Sequence, residues 1–384
     1  MRNFALKLFV IGQFFLLVLF SLLNISCGPR PKVLKLSTQI EVNKNISKNS
    51  SLKGPTGLWF TSSNSTNGGL LGRIDLRTGV INRNIKMIGP DSIILPDDST
   101  HLFLLSRMNH DGISRLKGID AEVESFYGFA KGSNPQQALR DNNGQVWLTL
   151  QDSNEVKILN SSLSSQVGRI DLSFFAVENS FGGFADLSQI FQFDSDHLVV
   201  LAQRMHRSLQ SWIPDRQSGL AVINKNTFTL ESSRLLEIAN PIQIGRFKEK
   251  TYIVGGGDYS QPKSVMGDYF KFTNLTFSDV ESVKTRGKIL GATINSEVET
   301  PLFIVWYPEL NKSCIESETR QLVCEENSAS QGYVFNSILA YGSQVFVSYY
   351  GNFKSELWII NFDNEMKIQK VAMNLPILSM SFGL

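Results

Sequence analysis

A short, strongly apolar or aromatic segment recurs seven times along this chain, and that recurrence constrains the fold more than any other feature. The copies are Leu58-Trp59-Phe60-Thr61, His101-Leu102-Phe103-Leu104-Leu105, Val146-Trp147-Leu148-Thr149, Leu198-Val199-Val200-Leu201, Tyr252-Ile253-Val254, Leu302-Phe303-Ile304-Val305-Trp306 and Val345-Phe346-Val347-Ser348. They are spaced by about 43 to 54 residues. Apolar runs this short suit buried strands better than helices. A period in that range signals stacked units that cannot bury their apolar faces alone. The prediction is an all-β fold, a seven-bladed β-propeller with one four-stranded blade per repeat.

The rest of each unit agrees. A strand and a polar turn precede the apolar segment, as at Asp97-Asp98-Ser99, Asp141-Asn142-Asn143-Gly144, Asp194-Ser195-Asp196, Lys248-Glu249-Lys250 and Tyr341-Gly342-Ser343. Third strands follow it, including residues 72–76, 155–159, 219–223 and 357–360. Charged residues are only 19%, and Asn, Ser and Gly are plentiful, which suits short strands and tight turns. The first unit begins at its apolar strand and lacks an inner one, while the last unit is followed by an orphan, Pro376 to Phe382. Its lead-in, Asn374-Leu375-Pro376, matches Asn134-Pro135 and Asn240-Pro241 before other inner strands. The orphan is therefore expected to complete the first blade and close the ring, since an open ring leaves bare edges.

The start of the chain has a different character. Arg2 and Lys7 precede an apolar run that ends at Leu23-Asn24-Ile25-Ser26-Cys27-Gly28. A basic region, an apolar region and a small residue before a cut make a secretory signal. The alternative of a transmembrane anchor needs roughly 20 apolar residues, and this run is shorter and interrupted by Gln13. A signal with a coincidental cysteine is the other alternative. Cys27 after Ser26 resembles the lipobox of bacterial lipoproteins, with Asn24 where leucine is usual. The resemblance implies removal of residues 1–26, diacylation of Cys27 and anchoring to membrane lipid. Gly28, in place of the inner-membrane retention Asp, implies the outer membrane. Residues 27–54 then form a polar tether reaching roughly 30 Å, and 55–384 form the propeller domain.

With Cys27 lipidated, Cys314 and Cys324 remain as a pair. An exported protein occupies an oxidising space, so a disulfide is expected; two free thiols are the alternative. No second cysteine pair or neighbouring histidine suits a metal.

From Asn134 to Ile244 the chain resembles the YVTN-type (YncE-like) propeller proteins. The matching pieces are Asn134-Pro135-Gln136, Asp152-Ser153-Asn154-Glu155-Val156, Ile170-Asp171-Leu172-Ser173, the run from Leu201 to Arg207, and Gly219-Leu220-Ala221-Val222-Ile223-Asn224. Met205 replaces a usual leucine, and Trp212 and Pro214 are kept. Gly182-Gly183-Phe184-Ala185-Asp186 departs from the acidic, Pro-containing loop of the family. The resemblance implies fold, and propellers host many unrelated activities.

Few residues carry recognisable chemistry. The four histidines share no metal-ligand spacing, and His101 and His197 occupy equivalent strand starts. Asp194-Ser195-Asp196 lacks the other ligands of a calcium loop and reads as a turn. Gly255-Gly256-Gly257 is followed by no Gly-Lys-Ser/Thr and reads as a loop. No nucleophile elbow or paired acid and base stands out. A net charge of +2 without a basic block gives no support to nucleic-acid binding. The best binding candidates are Gln203, Arg204, His206 and Arg207, with Trp212 on the loop that follows; the alternative is that these side chains hold the loop in place. The expectation is a monomeric envelope lipoprotein that binds a protein partner and catalyses nothing, with no metal and no cofactor. The alternatives are a lactonase-like or quinone-dependent propeller enzyme, or an outer-membrane assembly scaffold.

Overall fold

The computed structural model describes residues 55–63, 68–108, 110–178, 180–260, 265–295, 298–327, 332–362 and 366–383. The signal, Cys27 and the tether lie outside the described residues. The protein is a seven-bladed β-propeller, each blade a four-stranded antiparallel sheet. All seven recurrent apolar segments are second strands, from Gly57–Ser63 in blade 1 to Gln344–Gly351 in blade 7. A second strand is covered by neighbouring blades on both faces, so it reads as an unbroken apolar run. Blade 3 illustrates this: every residue of Val146–Leu150 is buried. Helix is confined, among the described residues, to single 3-10 turns at Ser173–Phe175 and Pro308–Leu310.

The core lies between blades. Trp147 and Ile158 of blade 3 pack with Ile190, Leu198 and Ile223 of blade 4, and Phe103 and Ile113 of blade 2 pack with Val146 and Leu159 of blade 3. The C-terminal strand Ile377–Gly383 pairs with Gly57–Ser63 and is the inner strand of blade 1, as the sequence predicts. Thr61 Oγ1 lies 2.9 Å from Ser379 Oγ, and Ser379 Oγ also accepts the Ile94 N–H of blade 2 at 2.9 Å. The closing strand is thus fixed to both its own blade and the next.

One face of the ring is organised by a repeated backbone bond. The residue after a second strand donates its N–H to the carbonyl of the residue before the inner strand. It joins Arg107 to Asp91 (3.1 Å), Gln151 to Asn134 (3.0 Å), Gln203 to Asp186 (2.8 Å) and Gly256 to Asn240 (2.9 Å). We call this the upper face. The turns at Asp97-Asp98, Asp141 and Asp194, and the paired residues Gly57 and Gly383, lie at the opposite, lower face.

The predicted disulfide is present. Cys314 and Cys324 oppose each other across the third and fourth strands of blade 6, Lys312–Ser317 and Gln321–Glu326, with Cα atoms 4.1 Å apart.

Candidate functional site

Blade 4 carries an extra element on the upper face. Between its second strand, His197–Ala202, and its third, Ser218–Asn224, the chain forms a two-stranded hairpin, Met205–Arg207 paired with Trp212–Pro214. Arg204 has a φ of 56°. It turns the chain out of the blade, and its guanidinium donates to Phe175 O and to Asp215, both at 2.9 Å. The hairpin exposes three large apolar side chains, Leu209 at its tip (87%) and Trp212 (49%) and Ile213 (39%) on its second strand. Phe181 lies alongside, exposed, its N–H donating to Arg207 O at 3.0 Å.

Of the five side chains singled out in the sequence, two face solvent and three do not. His206 and Trp212 are exposed. Arg207 has a side chain only 5% exposed. It ion-pairs with Asp152 of blade 3 and Asp186 at the entry to blade 4, and donates to Gln151 O at 3.2 Å. Its guanidinium carbon sits 4.1 Å from the Trp212 ring centroid and 5.2 Å from that of Phe184. Burial pushes the Asp186 carboxyl up to about 6, against the pull of Arg207 and the Met205 N–H. Arg204 is the half-buried anchor described above.

Gln203 belongs to a different array. Arg107 donates to Gln136 (3.1 Å), Gln136 to Gln151 (3.3 Å), Gln151 to Gln203 (3.3 Å), Gln203 to Asn240 (2.8 Å) and Asn240 to Gly257 O (3.2 Å). This chain runs in one direction from blade 2 to blade 5. Each carboxamide both accepts and donates, and such chains reinforce themselves. Asp91 holds the starting guanidinium at 2.6 Å.

Asp152, Asp186, Phe184 and the carboxamide chain were not singled out in the sequence. One signal was readable. Asn134 and Asn240 occupy the blade-entry position with φ of 51° and 53°, and Asp186 takes the same position with φ 58°. Asn and Asp both tolerate this left-handed conformation, and the Asp carboxylate can in addition receive a guanidinium. The loop that departs from the YVTN-type pattern is the one that supplies Phe184 and Asp186 to Arg207.

Two further features lie on the lower face. Asp97, Asp98 and His101 converge closely enough to suggest a metal. Arg115 reaches both carboxylates at 2.7 Å and Arg140 reaches Asp97 at 2.5 Å. Two guanidiniums already balance that charge, so the donor set does not fit a cation. On the lower face a cavity of about 340 Å³ opens between blades 6 and 7, walled by Val298, Leu302, Ala340, Val345 and Phe362.

No protein-family model and no curated protein matches the chain. Solved structures do. Apo AztD from Citrobacter koseri is similar with a TM-score of 0.52 at 9% identity, covering 85% of this chain and 98% of that one. The Cps50 (Swd1) propeller domain of Myceliophteria thermophila gives 0.52 at 10% identity, with 83% and 98% covered. The dihydro-heme d1 dehydrogenase NirN gives 0.50 at 11% identity, with 84% and 67% covered. Likeness at this identity establishes the propeller fold alone.

Proposed function

We propose that this protein is a lipid-anchored envelope lipoprotein whose YncE-like propeller binds a protein partner through the blade-4 hairpin and is not an enzyme. The observation that carries this reading is the inserted hairpin itself, which exposes Leu209, Trp212 and Ile213 and has the exposed Phe181 hydrogen-bonded beside it. Large apolar side chains gathered on one protruding element mark interaction sites, and Trp is among the side chains that dominate binding energy. A loop on a rigid scaffold is where such a surface is expected.

The anchoring half rests on the sequence run Leu23-Asn24-Ile25-Ser26-Cys27. Gly57 enters at the lower face, opposite the hairpin. Stable residence takes two or more acyl chains, which diacylated and N-acylated Cys27 supplies.

The test is in-cell cross-linking of the wild-type protein against Trp212→Ala and Leu209→Asp. A species lost from both variants, with their thermal melts unchanged, supports the hairpin as the docking site. An identical cross-linking pattern in all three proteins sinks it. Cys27→Ala is expected to abolish lipid labelling; normal labelling of that variant removes the anchor.

A further inference from the structure

A hairpin of two three-residue strands does not hold an indole still by itself, because isolated two-stranded ribbons are marginal in water. What steadies Trp212 lies beneath it. Arg207 projects from the first hairpin strand back into the propeller, where Asp152 and Asp186 receive it. Those carboxylates belong to different blades. Asp152 follows the second strand of blade 3, and Asp186 precedes the inner strand of blade 4.

We propose that Arg207 is a positioning residue for Trp212: it clamps the hairpin to blades 3 and 4 and sets the plane of the indole. This rests on the reading of the hairpin as the docking site. The chemistry requires arginine. A planar guanidinium can span two carboxylates through its donor fork and lie flat against an aromatic ring at once, which an ammonium cannot. Asp186 serves twice, because its second oxygen accepts the Met205 N–H at 2.7 Å. One carboxylate thereby fixes both ends of the strand Met205–Arg207.

A buried charge cluster of this kind is a poor source of net stability, and its best-attested use is to select one arrangement over others. Here the arrangement selected is the orientation of Trp212. A ring held in place before binding avoids the ordering cost that a mobile side chain adds on association. Arg207 therefore acts on the partner indirectly, without touching it.

The experiment compares Arg207→Met, Arg207→Lys and Asp186→Asn with the wild-type protein. Acrylamide quenching of Trp212, isolated by subtracting the Trp212→Phe protein, reads the exposure of the ring. Amide exchange over residues 205–214 reads the hairpin, with strands 197–202 and 218–224 as the internal control. Arg207→Met is expected to raise Trp212 quenching and to speed hairpin exchange by about tenfold or more, leaving the control strands unchanged. Arg207→Lys is expected to behave like Arg207→Met rather than rescue it. Unchanged quenching and exchange in Arg207→Met overturns the proposal, and so does a uniform rise across the control strands.

Asp186→Asn decides the matter if Arg207→Met does not fold. Asn sits at the same turn in blades 3 and 5 with the same sign of φ, so this variant keeps the turn. It is expected to loosen the hairpin in the same direction; no loosening overturns the proposal. The docking reading fails separately: Trp212→Ala that retains every cross-linked partner removes that reading and leaves the exchange result standing.

Discussion

His197 shows how one side chain can tie a blade from turn to edge. Its Nδ1 lies 2.8 Å from Asp194 in the first turn of blade 4, and its Nε2 lies 3.0 Å from Glu231 on the outermost strand. The hydrogen bond to Asp194, against a smaller cost of burial, together with the charges of Asp194, Glu231 and Asp196, raises its pKa above the ordinary 6.5. The folded protein therefore holds this proton more tightly than the unfolded chain. The contribution is complete below pH 6.5 and is lost as pH rises through the folded value. Replacing His197 with Gln should lower the denaturant midpoint at pH 6 and do so less at pH 9; an equal loss at both excludes the proton as the cause. Asp268 has the opposite consequence. It is buried with Oδ1 unpartnered, and burial pushes its carboxyl up to about 7 against the pull of Lys284. Between about pH 4 and 7 the unfolded chain ionises this group while the folded protein does not, so stability falls across that window and then levels. Asp268→Asn should accordingly stabilise more at pH 8 than at pH 4.5, as read from paired urea titrations.

At the scale of elements, second strands were legible in the sequence and the blade-4 hairpin was not, for one physical reason. A strand covered on both faces has no freedom to be polar, so Leu198 to Leu201 declares itself by composition alone. The hairpin strands each present a single residue or two to the protein, and their order comes from Asp152 and Asp186, distant in sequence. The sequence located Gln203, Arg204, His206, Arg207 and Trp212 in one segment but could not tell that Arg207 is buried while Trp212, laid over its guanidinium, stays half exposed. That division depends on partners supplied by two blades. The disulfide was legible because only two cysteines remain once Cys27 is assigned. It joins directly opposed residues on the third and outermost strands of blade 6, so it secures an edge strand that has ladder bonds on one side only. The enclosed loop is short, and chain-entropy arguments give roughly 2.5–3 kcal/mol at most. Cys324→Ser should lower stability by about 2–3 kcal/mol in oxidised preparations and by nothing further under reducing conditions. An unchanged denaturant midpoint in the oxidised variant would show that the ladder alone holds the strand.

The whole propeller depends on the strand Ile377–Gly383 meeting Gly57–Ser63. Blade 1 draws three strands from the start of the described chain and its inner strand from Ile377–Gly383. That strand buries Ile377 and Met380 in the cluster with Leu58, Phe60 and Ile74 of its own blade and Phe346, Leu357 and Val371 of blade 7. Losing it would strip the interface between blades 7 and 1 as well as the ladder to Gly57–Ser63. Burial of a large apolar side chain contributes about 1.5–3 kcal/mol, so two such residues and a ladder make deletion of 374–384 a loss of several kcal/mol. The effect should also be delocalised, because each blade is covered only by its neighbours and an open ring exposes two of them. The truncated protein is expected to melt well below the full chain and with a broader transition, and a synthetic peptide of residues 374–384 should restore part of the loss in trans. A truncated protein that melts with the full-length profile would mean that blade 1 closes the ring without its inner strand.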